Sequence, residues 1–246
     1  MRRPALGSQL GASDVAGPYR TWSATCDRIV HEALGLPAGM RTNSLLPWSG
    51  IAEVCDGLRL TAGSLLVDLA CGRGGYGQEI ARRGGARLVG LDISAVAIRA
   101  AGAAGFLVGD YTAAGLRDGC ADAVICVDAM QFADPPLAGL RECHRLLSPG
   151  GRVAVTAWEA LDPADERQPE RTRRMNLARD LAAAGFGQVE VTEKPSWLAA
   201  ERVLWEAAAA ASEAAGDPGL ASLRDEAVRA LDVFDGKRRV LAVAVA

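Results

Sequence analysis

Lysine is almost missing from this chain. Of 27 cationic residues only Lys194 and Lys237 are lysine, and we read the arginine bias as codon composition, not chemistry. Histidine is as scarce, limited to His31 and His144. The six cysteines (Cys26, Cys55, Cys71, Cys120, Cys126 and Cys143) never adopt C-x-x-C spacing. Neither a zinc site nor a dithiol redox motif is therefore supported, and free thiols in a reducing compartment are expected. No run reaches the roughly 18 apolar residues that a spanning helix needs. The N-terminal MRRPALGSQLGASDV lacks the apolar stretch of a signal peptide. A net charge of −3 supplies no basic surface for nucleic acid. These absences predict a cytoplasmic protein with no metal and no nucleic-acid or membrane partner; a monomer or a homodimer is expected, and nothing in the sequence chooses between them.

What is present is a large apolar fraction, 50% of 246 residues, enough for one sizeable α/β domain. Residues 1–18 show no periodicity. From Tyr19 onward, Trp22, Cys26, Ile29 and Ala33 recur at helical spacing, and a second stripe holds Ile51, Val54, Cys55 and Leu58. Both helices precede the first strand, so residues 1–62 read as a flexible segment and helical cap. Short apolar runs then alternate with helical segments: strands at 64–69, 87–92, 106–109, 121–127, 152–158 and 188–193, helices at 75–83, 94–105, 134–147 and 173–184. Ser148-Pro149-Gly150-Gly151 reads as the stop between helix and strand. Helices near 198–215 and 219–234 precede a terminal strand, RRVLAVAVA. This alternation predicts a doubly wound, mostly parallel sheet. Residues 63–160 form its cofactor-binding core. Residues 161–246 complete the domain, with a helical insertion at about 196–235 as a wall or lid for an acceptor pocket.

Residues 68–77, DLACGRGGYG, place Gly72, Gly74 and Gly77 in G-x-G-x-x-G register between a strand and a helix. Such glycines permit a tight turn, close approach of backbone to ligand, and close helix–strand packing. Asp92 ends the second strand twenty residues after Gly72, where a carboxylate can accept ribose hydroxyls. That much fits any adenosine cofactor, and an NAD(P)-dependent oxidoreductase is the first rival reading. Asp68, four residues before the glycines, argues against it: placed at the mouth of the loop, its charge repels a diphosphate and attracts an ammonium or sulfonium. Gly109-Asp110 ends the third strand, in position to meet an adenine amino group.

The segment Leu146-Leu147-Ser148-Pro149-Gly150-Gly151 resembles the LxPGG turn of class I methyltransferases, and DLACGRGGYG resembles their first motif. The resemblance runs from about Leu65 to Glu159 and is closest to the branch holding quinone-biosynthesis and bacterial natural-product methyltransferases. It implies S-adenosylmethionine as cofactor, a seven-stranded sheet whose last strand is antiparallel, and a small-molecule acceptor. By position it implies that Asp68 and the Ala70, Cys71, Gly72 and Gly74 backbone hold the aminoacyl end. Asp92 with Ile93 would meet the ribose, Asp110 and Tyr111 the adenine, and Val127–Gln131 would line the path to the methyl group. One departure is clear. Many relatives carry histidine after the fourth strand, where this chain has Asp128-Ala129-Met130-Gln131-Phe132. A second rival is therefore a homologue that binds the cofactor without transferring from it, as a cyclase or regulatory subunit.

Asp128 and Gln131 are the catalytic candidates, at the carboxyl edge of the fourth strand where doubly wound folds place ligands; a purely structural role is equally expected. His31 is a third candidate, but helical spacing puts it on the outer face with Asp27 and Arg28. Acceptor contacts are assigned to Tyr19, Trp22, Asn43, Trp48 and Met130, with Ser44 able to close over the cofactor. For Tyr19 and Trp22 the competing reading is core of the cap helix, and for Asn43 and Trp48 a packed loop.

Overall fold

The computed structural model describes residues 22–102, 105–212 and 216–246. The assignment of Tyr19 lies outside them. Among the described residues two cap helices come first, α1 (Ala24–Leu34) and α2 (Trp48–Leu58). The alternating core is β1 (Leu65–Leu69), α3 (Gly75–Gly84), β2 (Arg87–Asp92), α4 (Ala95–Ala101), β3 (Phe106–Val108), β4 (Ala121–Val127), α5 (Pro136–Leu146) and β5 (Leu147–Ala160). Then follow α6 (Glu170–Arg173), α7 (Leu177–Ala184), β6 (Gly187–Glu193), α8 (Pro195–Ala210), α9 (Pro218–Asp232) and β7 (Lys237–Val245).

The seven strands lie in the order β3-β2-β1-β4-β5-β7-β6. All neighbours pair in parallel except β7, which runs antiparallel to both β5 and β6. The chain steps outward from β1 through β2 to β3, then restarts at β4 on the other side of β1. That reversal opens a crevice above the carboxyl ends of β1 and β4, the position where doubly wound sheets bind ligands.

Strand alternation sorts the core into two layers. Leu66, Ile125, Val127, Ala154 and Leu241 face one layer together with α1, α2, α3, α8 and α9. Val67, Leu69, Val124, Cys126, Val153 and Val155 face the other, against Leu140 and Leu146 of α5 and Leu177 and Leu181 of α7. No helix among the described residues is long and apolar enough to cross a membrane.

Local signals set several boundaries. Gly35 closes α1 in the left-handed conformation, at φ 65°, and Ser94 caps α4 by accepting the Ala97 N–H. Three elements depart from the sequence reading. The expected helix 173–184 is split, because Asn176 is extended and caps a fresh helix by accepting from Arg179 N–H. The helix expected from 134 starts at Pro136, with Pro135 at its N-cap and the Asp134 carboxylate spent on Arg174 at 2.9 Å. The third departure is β5, which begins at Leu147 and runs through the Pro-Gly-Gly expected to interrupt it. Gly150 N–H donates to the Ala246 carbonyl and Ala246 N–H to Gly151, so the last residue of the chain supplies the missing ladder.

Candidate active site

The crest between β1 and α3 is built from backbone in the left-handed region: Ala70 has φ 59°, Gly72 55° and Gly74 79°. Cys71 N–H donates to the Leu91 carbonyl and Gly74 N–H returns to Cys71, closing the turn. Asp92 staples it. One carboxylate oxygen accepts Gly72 N–H and the other Ser94 N–H, both at 2.8 Å. Burial lifts the Asp92 pKa, and these two amides only partly offset it.

Asp68 sits under the loop and not at its mouth. It shares the strand face of Leu66, which turns it beneath α3, only 2% exposed. There it accepts the Gly77 N–H. Gly77 makes this approach possible, since a Cβ at that position would collide with the Asp68 carboxylate. Gly77→Ala is therefore expected to cost about 1–3 kcal/mol by overpacking, lowering the melting temperature by roughly 2–12 °C for a chain of this size; an unchanged melting curve contradicts the packing.

Burial, and next the nearby Asp92 charge, push the Asp68 pKa well above the usual aspartate range. The folded chain thus keeps this proton to higher pH than the unfolded chain. Its contribution to stability is complete at low pH and is lost as pH rises through the ordinary aspartate range toward the raised value. Asp68→Asn, neutral throughout, should gain on the wild type in thermal melts as pH is raised from 4 to 7. A difference that stays flat with pH rules the argument out.

The amino end of α3 is already occupied. Gly75 N–H donates to the Arg41 carbonyl at 3.1 Å, while Gly77 N–H is held by Asp68. The segment after α1 therefore lies directly on the glycine loop. Several bonds fix it there: Arg73 Nη2 donates to the Thr42 carbonyl, the Tyr76 hydroxyl to Leu46 at 2.6 Å, and the Ser44 hydroxyl to the Val127 carbonyl at 3.2 Å. Arg73 also pairs with Asp27 at 2.6 Å, and Trp22 Nε1 donates to the same carboxylate oxygen. Burial raises the Asp27 pKa, but the bonds from Arg73 and Trp22 outweigh it and hold the group below the usual range.

Asp128 stands at the end of β4 with φ 57°. Its carboxylate is fully engaged: Oδ1 accepts the Thr156 hydroxyl at 2.6 Å and Arg239 Nη2 at 2.7 Å, and Oδ2 accepts Leu45 N–H at 2.8 Å. Arg239, 0% exposed, reaches across to Glu201 of α8 at 3.2 Å and lies 4.2 Å from the Trp158 ring. Glu201 in turn accepts from Trp158, Trp205 and Lys237 at 2.6, 3.0 and 2.7 Å. Burial favours the neutral acid there, yet Arg239 and Lys237 prevail and the Glu201 pKa is lowered. None of Arg239, Glu201, Thr156, Arg73 or Asp27 was singled out from sequence.

Gln131, 3% exposed, donates through Nε2 to the Asp128 carbonyl at 2.6 Å and leaves Oε1 without a partner. Val127 lies beside it, ending β4. The remaining residues scatter. Met130 is fully buried against Gly139 in the α5 layer, and Tyr111 packs there too, its hydroxyl donating to the Ala129 carbonyl. Exposed Asp110 accepts from Thr112 in a local turn, and half-buried Ile93 follows β2. Trp48 lies away from the loop, its ring 4.5 Å from the guanidinium of Arg83 near the far end of α3. His31 Nε2 is 2.7 Å from the Met40 carbonyl and lines an open crevice of about 510 Å³ with Asp27, Arg28 and Arg41, outside the β1/β4 crevice. Among the described residues no cluster of three or more His, Cys, Asp or Glu could hold a metal. Burial pushes Cys143 up to about 12 and Cys126 well above its ordinary value.

Residues 67–155 match the methyltransferase domain family. Sterol 24-C-methyltransferase of Eremothecium gossypii is 34% identical over 125 residues, 46% of this chain and 33% of that protein. The ubiquinone biosynthesis O-methyltransferase of Xanthomonas oryzae pv. oryzae is 31% identical over 39% of this chain and 43% of its own length. The chain thus spans a third to two-fifths of these relatives. Among solved structures, the 4+2 cyclase SpnF superposes with a TM-score of 0.70 at 18% identity, covering 96% of each chain. The fold is that of the class I, Rossmann-like methyltransferases.

Proposed function

We propose that this chain binds S-adenosylmethionine across the Ala70–Gly74 loop and directs methyl transfer to an O, N or C atom of a small molecule. The observation that carries this reading is the occupied amino end of α3. A dinucleotide enzyme offers its diphosphate the free amides of that helix; here Gly75 and Gly77 already bond to the Arg41 carbonyl and the Asp68 carboxylate. What the loop leaves open is a glycine-rich backbone stapled from behind by Asp92, which suits a nucleoside without phosphates. Asp92 with Ile93 then sits at the ribose, Asp110 and Tyr111 along the adenine, Val127 beside the cofactor on the path to its methyl group, and Gln131 on the acceptor side.

The bound sulfonium supplies an activated methyl group, so the protein's own task is alignment, which in favourable cases lowers a barrier by roughly 7–11 kcal/mol. Asp128 is a positioning residue in this scheme, because every contact of its carboxylate is structural. Gln131 offers its free Oε1 to the acceptor. The helices α8 and α9 wall the acceptor pocket, anchored through Glu201. A cytoplasmic bacterial enzyme of natural-product biosynthesis, monomeric or homodimeric, is the setting we infer.

Isothermal titration with S-adenosylmethionine and NAD, followed by an acceptor panel scored for S-adenosylhomocysteine, tests the proposal. We expect binding of the first and not the second, and product with at least one acceptor. Binding of NAD alone contradicts it. The engaged Asp128 favours one second reading, a cyclase that keeps its cofactor intact; bound cofactor with no product across the panel selects that reading.

A further inference from the structure

Arg73 occupies the variable position between two loop glycines, yet its side chain is only 10% exposed. Its two terminal nitrogens are spent: Nη2 on Asp27 at 2.6 Å and on the Thr42 carbonyl, Nη1 on the second Asp27 oxygen at 3.4 Å. Nε is buried without any partner. Asn43, next after Thr42, has both Nδ2 and Oδ1 buried and unpaired. Buried polar groups are seldom left so, and each such group asks for an explanation. The bond from Arg73 to the Thr42 carbonyl makes Asn43 the chain neighbour of an Arg73 partner at the glycine loop, which leaves three orphans on adjoining residues: two donors, Arg73 Nε–H and Asn43 Nδ2–H, and one acceptor, Asn43 Oδ1.

Two donors beside one acceptor complement a carboxylate next to an ammonium. The charge balance points the same way. Asp27 already neutralises Arg73, so a ligand group of zero net charge enters without leaving an uncompensated charge. We propose that Arg73 and Asn43 form the recognition site for the α-amino-acid zwitterion of the cofactor, with Arg73 Nε and Asn43 Nδ2 on its carboxylate and Asn43 Oδ1 receiving its ammonium. Asn43 then serves the cofactor and not the acceptor contact expected from sequence. Asp68 lies beneath α3 and Asp92 is bonded to two loop amides, so neither is assigned the ammonium. The inference rests on the cofactor reading above.

The test titrates two ligands into each protein: S-adenosylhomocysteine, and 5′-methylthioadenosine, which keeps the nucleoside and thioether but has no amino-acid end. For Arg73→Met we expect S-adenosylhomocysteine to bind about 10- to 100-fold more weakly, the range of one lost charge-assisted hydrogen bond, and for Asn43→Ala, which removes two, at least as weakly. Methylthioadenosine should stay within about twofold, which also reports that the variants are folded. Equal losses for both ligands in Arg73→Met, no loss, or a wild type that binds the two equally overturns the inference while leaving the cofactor reading intact. A wild type that binds neither ligand overturns both.

Discussion

Replacing Asp92 by alanine is expected to weaken S-adenosylhomocysteine binding by about 100-fold and to lower the melting temperature at the same time. The carboxylate bonds Gly72 N–H and Ser94 N–H at 2.8 Å each. Charge-assisted hydrogen bonds of this kind contribute about 1.5–3 kcal/mol apiece, and a buried amide left unpaired costs about as much. Gly72 also sits at φ 55° in the crest of the loop, so freeing its amide loosens the surface that receives the nucleoside. Asp92→Asn sharpens the test. Both groups facing Asp92 are N–H donors, whereas a carboxamide brings only one acceptor oxygen and turns an NH₂ toward the other donor. The near-isosteric change should therefore cost affinity as well. Calorimetry and thermal melts on both variants check it, and unchanged affinity removes Asp92 from the ribose site.

Arg239→Met should be the most destabilising single replacement away from the loop. It leaves Asp128 and Glu201 buried and negative, with no cation remaining at Asp128 and Lys237 alone beside Glu201. Breaking a buried pair from one side typically costs 3–5 kcal/mol, or roughly 6–20 °C in melting temperature here. The loss should come mostly from stranded charge. Adding Asp128→Asn and Glu201→Gln to Arg239→Met should accordingly recover much of it, since neutralised partners no longer need the guanidinium. Arg239→Met melting within about 2 °C of wild type, or a triple variant no better than the single, would contradict the network. The same residues connect the cap to the insertion, because Leu45 N–H ends on Asp128 and Glu201 belongs to α8.

Much of the cofactor half was legible because it depends on short-range patterns. Gly72, Gly74 and Gly77 declare their loop by spacing, Asp92 by its place at a strand end, Ser94 and Gly35 by their caps. What escaped was set by partners far along the chain. Pro149 to Gly151 look like a break until Ala246 pairs with them. Asp128 looks like a free base until Arg239, 111 residues later, claims it. Two signals were nevertheless available. Glu201 falls among Trp197, Leu204, Trp205 and Ala208 on the buried stripe of α8, a charge on an apolar face that calls for a buried partner. Asp68 alternates with Leu66 on β1, which already turns it under α3 and away from the mouth of the loop. Gln131 on the acceptor side and Asn43 at the cofactor are harder for a different reason: they announce themselves only as buried polar atoms without partners, a property of packing and not of pattern.

A crystal grown with S-adenosylhomocysteine and excess NAD in the same drop decides the central point most directly. The account predicts the thioether nucleoside lying over Ala70–Gly74, ribose against Asp92, with Gly75 N–H still bonded to the Arg41 carbonyl. Density for a diphosphate at the Gly75 and Gly77 amides, with the Arg41 segment displaced, would show that the occupied amino end of α3 does not choose the ligand as argued.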